Sequence, residues 1–239
     1  MKKEVVQQIV KENREIYNRI ADQFSSTRKH PWSEFELFKP FVEKNNAVLD
    51  VGCGNGRLAE FFAYKQIQYS GHDISSKLIE HAQHKNRQGT FTVGEASRLP
   101  YRDGRFDVIF LIATLHHIPS HTLRKTVMRE AYRVLKNNGT LIMTEWNLWN
   151  TQWWPLLFHF SIKKLTGNSD LDWGDVQKPW KNSQGDLLGY RYLHPFTRGG
   201  LKRLITTAGF SNITQYYTKK GQRSSWYDGF NIFSVAKKS

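Results

Sequence analysis

Val48-Leu49-Asp50-Val51-Gly52-Cys53-Gly54-Asn55-Gly56 is a short apolar run that passes into three glycines at alternate positions. The run reads as a strand, and Leu58, Phe61 and Phe62 just beyond it share one face of a helix. Glycines between a strand and a helix let the backbone approach a ligand closely, and the helix start offers unpaired N–H groups. Two familiar ligand loops do not fit. A phosphate-cradling loop ends in Gly-Lys-Ser/Thr, whereas here Gly56 is followed by Arg57 and Leu58. A dinucleotide loop places its third glycine three positions after the second, where this chain has Arg57.

The pattern suits a nucleoside that carries an amino-acid moiety in place of a pyrophosphate. Asp50, at the strand end, is the candidate to hold an ammonium, directly or through water, with Gly52, Cys53 and Gly54 packing on ribose and amino acid. Asp73, 19 residues beyond Gly54, falls at the end of the second strand. A carboxylate there accepts hydrogen bonds from both ribose hydroxyls. Ile74 follows it. Glu95 and Ala96, after the third strand, are candidates for an adenine ring, Glu95 through its side chain and Ala96 through backbone.

Working outward, apolar runs at 47–51, 68–72, 90–93, 106–112 and 140–144 alternate with helix-like stretches. That rhythm predicts parallel strand-helix-strand units. The helix at 123–135 carries Leu123, Val127, Met128, Ala131, Val134 and Leu135 on one face, and Asn138-Gly139 is expected to end it. Val5, Ile9, Ile16 and Ile20 predict one or two helices before the core, with a further short one at 32–39. Residues 147–193 break the rhythm and are read as an insertion after the fifth strand. A helix at 197–208 and strands at 211–217 and 230–236 complete the pattern. The expected organisation is one domain over 1–239: a helical cap (1–45), a ligand-binding core (46–146), a lid or substrate insertion (147–193) and C-terminal core strands (194–239).

Composition narrows the class. The chain has 239 residues, 35 Lys and Arg against 21 Asp and Glu, a formal charge of +14 and a single cysteine. One cysteine excludes an internal disulfide, and the charged start Met-Lys-Lys-Glu lacks the apolar run of a secretory signal. No apolar stretch reaches the length of a membrane span. A cytoplasmic protein is expected. The positive excess attracts polyanions, nucleic acid above all. A metal site is not expected, since there is no HExxH pair and no second cysteine.

The trio Asp50–Gly56, Gly71-His72-Asp73 and Gly94-Glu95-Ala96 resembles that of the class I S-adenosylmethionine-dependent methyltransferases. The resemblance spans roughly residues 45–145 and departs at Glu95, where most members have Asp. It implies a Rossmann-like, seven-stranded, mostly parallel sheet with helices on both faces, and S-adenosyl-L-methionine as methyl donor. It also adds Tyr17 and Ile112 to the cofactor-binding set.

Three further segments resemble the Trm-nine-type tRNA wobble-uridine (carboxymethyluridine) methyltransferases. They are Tyr17-Asn18-Arg19-Ile20-Ala21-Asp22-Gln23-Phe24-Ser25-Ser26-Thr27-Arg28 with Pro31-Trp32; Leu99-Pro100-Tyr101-Arg102 with Phe106-Asp107 and Ile112-Ala113-Thr114-Leu115-His116-His117; and Pro179-Trp180 with Arg191-Tyr192-Leu193-His194-Pro195-Phe196. The resemblance implies methyl-esterification of a 5-carboxymethyl carboxylate on a tRNA uridine, and a small zinc-binding activator protein as a partner. The insertion departs from the eukaryotic pattern.

A carboxylate is ionised at neutral pH and must only be gripped in line with the donor methyl. Arg28 is the candidate grip, its guanidinium forking onto the two oxygens; the alternative is an ion pair with an acidic neighbour or with the cofactor's own carboxylate. His116 or Arg191 is expected to hold the second oxygen or the uracil ring. On an extended chain His116 and His117 point opposite ways, and His116 is the one expected to face the cleft. Arg28 and His116 are thus the catalytic candidates, with Trp146, Trp180, Arg191, Tyr192 and His194 as further substrate contacts. Trp146, Trp149, Trp153 and Trp154 are expected on one helix as a cap over the cleft, a base-stacking surface or an interfacial membrane segment. Two other functions stay open: methylation of a small hydrophobic molecule such as a quinone or lipid precursor, and a non-catalytic subunit of an RNA-modifying complex.

Overall fold

The computed structural model describes residues 1–28 and 30–239. Five parallel strands form the heart of the sheet: β1 (Ala47–Val51), β2 (Gln68–Asp73), β3 (Thr90–Val93), β4 (Phe106–Ile112) and β5 (Leu135–Trp146). Three more follow later in the chain: β8 (Phe210–Lys219), β9 (Gln222–Ser224) and β10 (Asn231–Lys238). The sheet order is β3-β2-β1-β4-β5-β10-β8-β9, with β10 antiparallel to both of its neighbours. The sheet therefore has eight strands instead of seven. The additional β9 is a short hairpin return on β8 through Lys220 and Gly221, too polar to register as an apolar run.

Period-two alternation divides the strand side chains between two cores. Leu49, Val51, Ile109, Leu111, Leu141 and Met143 pack against Val127, Met128 and Ala131 of α5 (His121–Val134) and Leu201, Leu204 and Ile205 of α7 (Arg198–Thr207). Val48, Val108, Phe110 and Ile142 face the other side, against Leu58 and Phe62 of α3 (Arg57–Phe62), Ile79 and Ala82 of α4 (Ser76–Lys85), and Phe35 and Phe38 of the 3-10 segment Ser33–Phe41. Ser75, Ser120 and Thr197 cap α4, α5 and α7 by accepting from Leu78, Leu123 and Gly200 amides. Asn138-Gly139 lies inside β5 and does not end the helix: α5 stops at Val134, and Asn138, at φ 61°, bends the strand.

Before the core come α1 (Lys3–Arg19) and α2 (Ala21–Ser26). Between β5 and α7 lie α6 (Trp154–Leu165) and a separate antiparallel pair, β6 (Val176–Lys181) with β7 (Leu187–Leu193). The four tryptophans expected on one helix are spread over three elements: Trp146 ends β5, Trp149 sits in a turn, Trp153 closes the 3-10 turn Thr151–Trp153, and Trp154 opens α6. Pro155 forces the helix to start there, since proline suits only its first turn. No helix among the described residues is long and apolar enough to cross a membrane.

Candidate active site

Strand order reverses direction at β1, between β2 and β4, and a crevice opens beyond the C-terminal ends of these strands. It is a cavity of about 680 Å³. Gly52, at φ 79°, turns the chain at its floor, and a Cβ there would overlap the Thr114 side chain. The Gly52 amide donates to the His72 carbonyl at 2.7 Å, tying the loop to β2.

The Asp73 carboxylate accepts from the Gly54 amide on one oxygen and the Ser75 amide on the other, both at 2.9 Å. Burial raises its pKa, and these two bonds with that of the Ile74 amide oppose the rise. The carboxylate is fixed in orientation, and its remaining lone pairs are free for hydroxyl donors. Asp50 differs: one oxygen accepts from the Tyr69 hydroxyl at 2.6 Å, while the other is buried with no partner. Burial drives its pKa up to about 7, against the pull of Tyr69. A buried carboxylate oxygen without a partner on the wall of a cavity fits an incoming cation. The donor set thus fits a nucleoside bearing an ammonium group.

Cys53, Ile74, Glu95, Ala96 and Ile112 also line the cavity. The Glu95 side chain pairs with Arg14 of α1 at 3.0 Å and accepts from Ser97 Oγ at 3.4 Å.

The far end of the cavity is lined by Tyr17, Arg28, Trp146, Arg191 and His117. Arg28 stands over Phe24, its Cζ 3.8 Å from the ring centre, and its guanidinium donates to the Phe24 carbonyl and the Thr27 hydroxyl. Burial, then the charge of Arg57, lowers its pKa to about 10. Arg191 is buried between Trp180 at 4.3 Å and Trp146 at 5.6 Å, with its Nε unpartnered. Neither arginine makes a carboxylate ion pair among the described residues.

His116 does not face the cleft. It is fully buried, its Nδ1 lies 2.6 Å from Glu145 Oε2, and its ring stacks on Trp146. The two histidines belong to a 3-10 turn (Leu115–His117) and not to an extended strand, so alternation does not apply. Burial holds His116 neutral, with a pKa near 3, and lifts the Glu145 carboxyl to about 8. Of these two histidines, His117 lines the cavity. It meets the Tyr17 hydroxyl at Nε2 and the Tyr192 carbonyl at Nδ1. Tyr192 and His194 also stand outside the cavity lining: both side chains turn to Asp175, at 2.5 Å and 2.6 Å. Trp180 sits behind Arg191 and donates to Gln23 Oε1.

Residues 49–143 match the family described as a methyltransferase domain. This chain carries a methyltransferase domain. The methyltransferase is 26% identical to the Schizosaccharomyces pombe protein named tRNA (carboxymethyluridine(34)-5-O)-methyltransferase, over 89% of this chain and 92% of that one. Longer relatives with the same enzyme name are matched only in part, the chain spanning 35% of the one from Arabidopsis thaliana. An S-adenosylmethionine-dependent methyltransferase from Methanosarcina mazei superposes with a TM-score of 0.67 at 23% identity, over 84% of this methyltransferase and 96% of that chain. A methyltransferase solved with the Haloferax volcanii Trm112 activator superposes with a TM-score of 0.66 at 15% identity, over 95% and 97% of the two chains.

Proposed function

We propose that the methyltransferase esterifies an acceptor that arrives already anionic, the 5-carboxymethyl carboxylate of a tRNA wobble uridine. The observation that carries this reading is the pair of guanidiniums at the far end of the cavity, Arg28 and Arg191, which have no carboxylate partner among the described residues. Among the described residues beside them none acts as a strong base: burial holds the His117 ring neutral and raises the Tyr17 phenol above its usual value. A carboxylate needs no proton removed, and it relieves the crowding of positive charge between the two arginines.

S-adenosylmethionine, when bound, supplies an electrophilic methyl on a sulfonium. In this reading Asp50 holds its ammonium, Asp73 its ribose hydroxyls, and Gly52, Cys53 and Gly54 form the surface beneath. Ile74, Ala96, Ile112 and Tyr17 close around the nucleoside, with Glu95 at its edge. Arg28 orients the acceptor and excludes water from it. Residues 1–45 serve as a cap and 147–193 as a lid, because Tyr17 and Arg28 come from the first and Arg191 from the second. Trp146 and Trp180 then act through Arg191, while Tyr192 and His194 position β7.

The Schizosaccharomyces pombe and Arabidopsis thaliana relatives support tRNA as substrate over the quinone reading, to which the name of one relative, demethylmenaquinone methyltransferase, corresponds, and over the non-catalytic one. The same reading puts the work of this enzyme in the cytoplasm. The Haloferax complex supports a small activator as partner, which copurification tests. Incubation with labelled donor and carboxymethyluridine-containing tRNA should yield a base-labile methyl ester. Absence of transfer to any tRNA, with donor binding intact and the activator supplied, would sink the substrate assignment.

A further inference from the structure

A second cluster of aromatic and basic residues lies outside the cavity, on the segment that joins β9 to β10. Trp226 and Tyr227 are 55% and 58% exposed, and their rings meet edge to face with centres 5.9 Å apart. Trp149 and Phe230 are exposed beside them. Lys220 and Arg223 of the β8–β9 hairpin are exposed with no acidic partner among the described residues, whereas Lys219 pairs with Asp228 at 2.5 Å.

Exposed aromatics on a loose loop would need no explanation. This loop is held. Asn147 is 1% exposed, and its side-chain amide donates to the Trp226 carbonyl at 2.6 Å and the Gly229 carbonyl at 2.9 Å. The Asn147 backbone amide donates to the Phe230 carbonyl at 2.8 Å, and the buried Asn150 side chain reaches the Gly229 carbonyl. On its other side the hairpin turn presses on the cap: a Cβ at Gly221 would stand 2.7 Å from the Ser33 carbonyl. Both anchors are continuous with the cavity wall, since Trp146 and Trp32, the residues just before Asn147 and Ser33, line it.

We propose that Trp226 and Tyr227 form a stacking platform for unpaired bases of the RNA that flank the target nucleotide, with Lys220 and Arg223 on its phosphates. The proposal deepens the tRNA reading and rests on it for the identity of the RNA. Bases stack on aromatic faces without regard to sequence, and the binding is strongly salt-dependent. A platform whose backbone is fixed beforehand loses little entropy when it engages. An aliphatic protein partner would want a flat apolar face, and here the aromatics alternate with Ser224, Ser225, Asp228 and cations.

The test is binding of an unmodified anticodon stem-loop RNA to the full chain, followed by quenching of tryptophan fluorescence. Unmodified RNA keeps the result independent of which group is methylated. Trp226→Ala with Tyr227→Ala should weaken binding about 10-fold or more, a loss that follows from stacking worth ~1–3 kcal/mol per base. Donor binding should be unchanged, and Trp226→Phe should restore most of the affinity. Lys220→Ala with Arg223→Ala should reduce the salt slope by about two. Wild-type RNA affinity in the aromatic double variant would overturn the platform. So would a variant that alters self-association while leaving RNA affinity intact, since the face would then be a protein contact. Weakened RNA binding in an enzyme that esterifies no tRNA would keep the platform and overturn the substrate assignment instead.

Discussion

The Tyr17 hydroxyl stands 2.9 Å from His117 Nε2, and the opposite ring nitrogen, Nδ1, stands 3.0 Å from the Tyr192 carbonyl. A carbonyl only accepts, so Nδ1 carries the proton and Nε2 accepts from Tyr17. The ring is a neutral strut between α1 and β7. It fixes Tyr17 at the cavity wall, and with the Nε2 lone pair occupied it is a poor base.

Tyr17→Phe leaves Nε2 unpaired and should raise the acceptor KM about 10-fold with a smaller change in kcat, in line with ~1–3 kcal/mol for a buried polar group left unsatisfied. Steady-state kinetics on tRNA at saturating donor reads the split. An equal fall in kcat would mean that the phenol itself takes part in the chemistry.

Arg28→Lys keeps a charge and loses the fork. A fall of about 10- to 100-fold in kcat/KM for the acceptor is expected, given ~1.5–3 kcal/mol for a charge-assisted hydrogen bond. Calorimetric donor affinity should not move; a parallel loss there would assign Arg28 to the cofactor's carboxylate.

Asp50 has a pKa of about 7 in the free protein, so at pH 6 it is mostly protonated and an ammonium gains little from it. Donor affinity should therefore rise between pH 6 and pH 8, and Tyr69→Phe should move that rise to higher pH, because the Tyr69 hydroxyl favours the ionised form. Asp50→Asn should bind weakly at every pH. Titration calorimetry across this range is the check, and a flat wild-type profile would contradict it.

Burial lowers the pKa of His116 and His117 below the ordinary value of 6.5, to about 3 for His116. Between these limits each ring is protonated in the unfolded chain and neutral in the folded one, so the histidines' share of stability falls as the pH drops from 6.5 toward 3, against the opposite trend of the raised Asp50 and Glu145 carboxyls. The urea midpoint of His116→Gln should improve relative to that of the wild type on going from pH 7.5 to pH 5, whether or not the variant is active, and an unchanged difference would contradict it.

Gly52→Ala places a side chain at φ 79° and against Thr114. The backbone alone costs ~1–2 kcal/mol. A lowered Tm and loss of donor binding are expected together, measured by calorimetry.

Much of this architecture is legible in the linear chain because single rules governed it. Val48 to Val51 and Phe106 to Ile112 are apolar on both faces, as strands covered twice must be, and the glycines at 52, 54 and 56 have few other uses. Where two rules competed, the reading failed. His116 and His117 obey the geometry of a tight turn, which only the following Pro119 hinted at. Glu145 stands one residue beyond the apolar run at 140–144, and a lone carboxylate between Thr144 and Trp146 was a signal that something must satisfy it. Asp175 lacked any such mark, because its partners Tyr192 and His194 arrive from 17 and 19 residues away.

Strand β10 is inserted between β5 and β8, and its Asn231 pairs with Trp146 on the cavity wall. A ribosome must therefore add some 85 residues after Trp146 before that wall has its neighbour, roughly 4–17 s at ordinary elongation speeds. During that interval the growing polypeptide carries its donor loop but an open β5 edge, a hazard for pairing with other nascent chains. Catalytic competence thus waits on the emergence of β10, and a product stalled before it would be a candidate for degradation and not a slow enzyme.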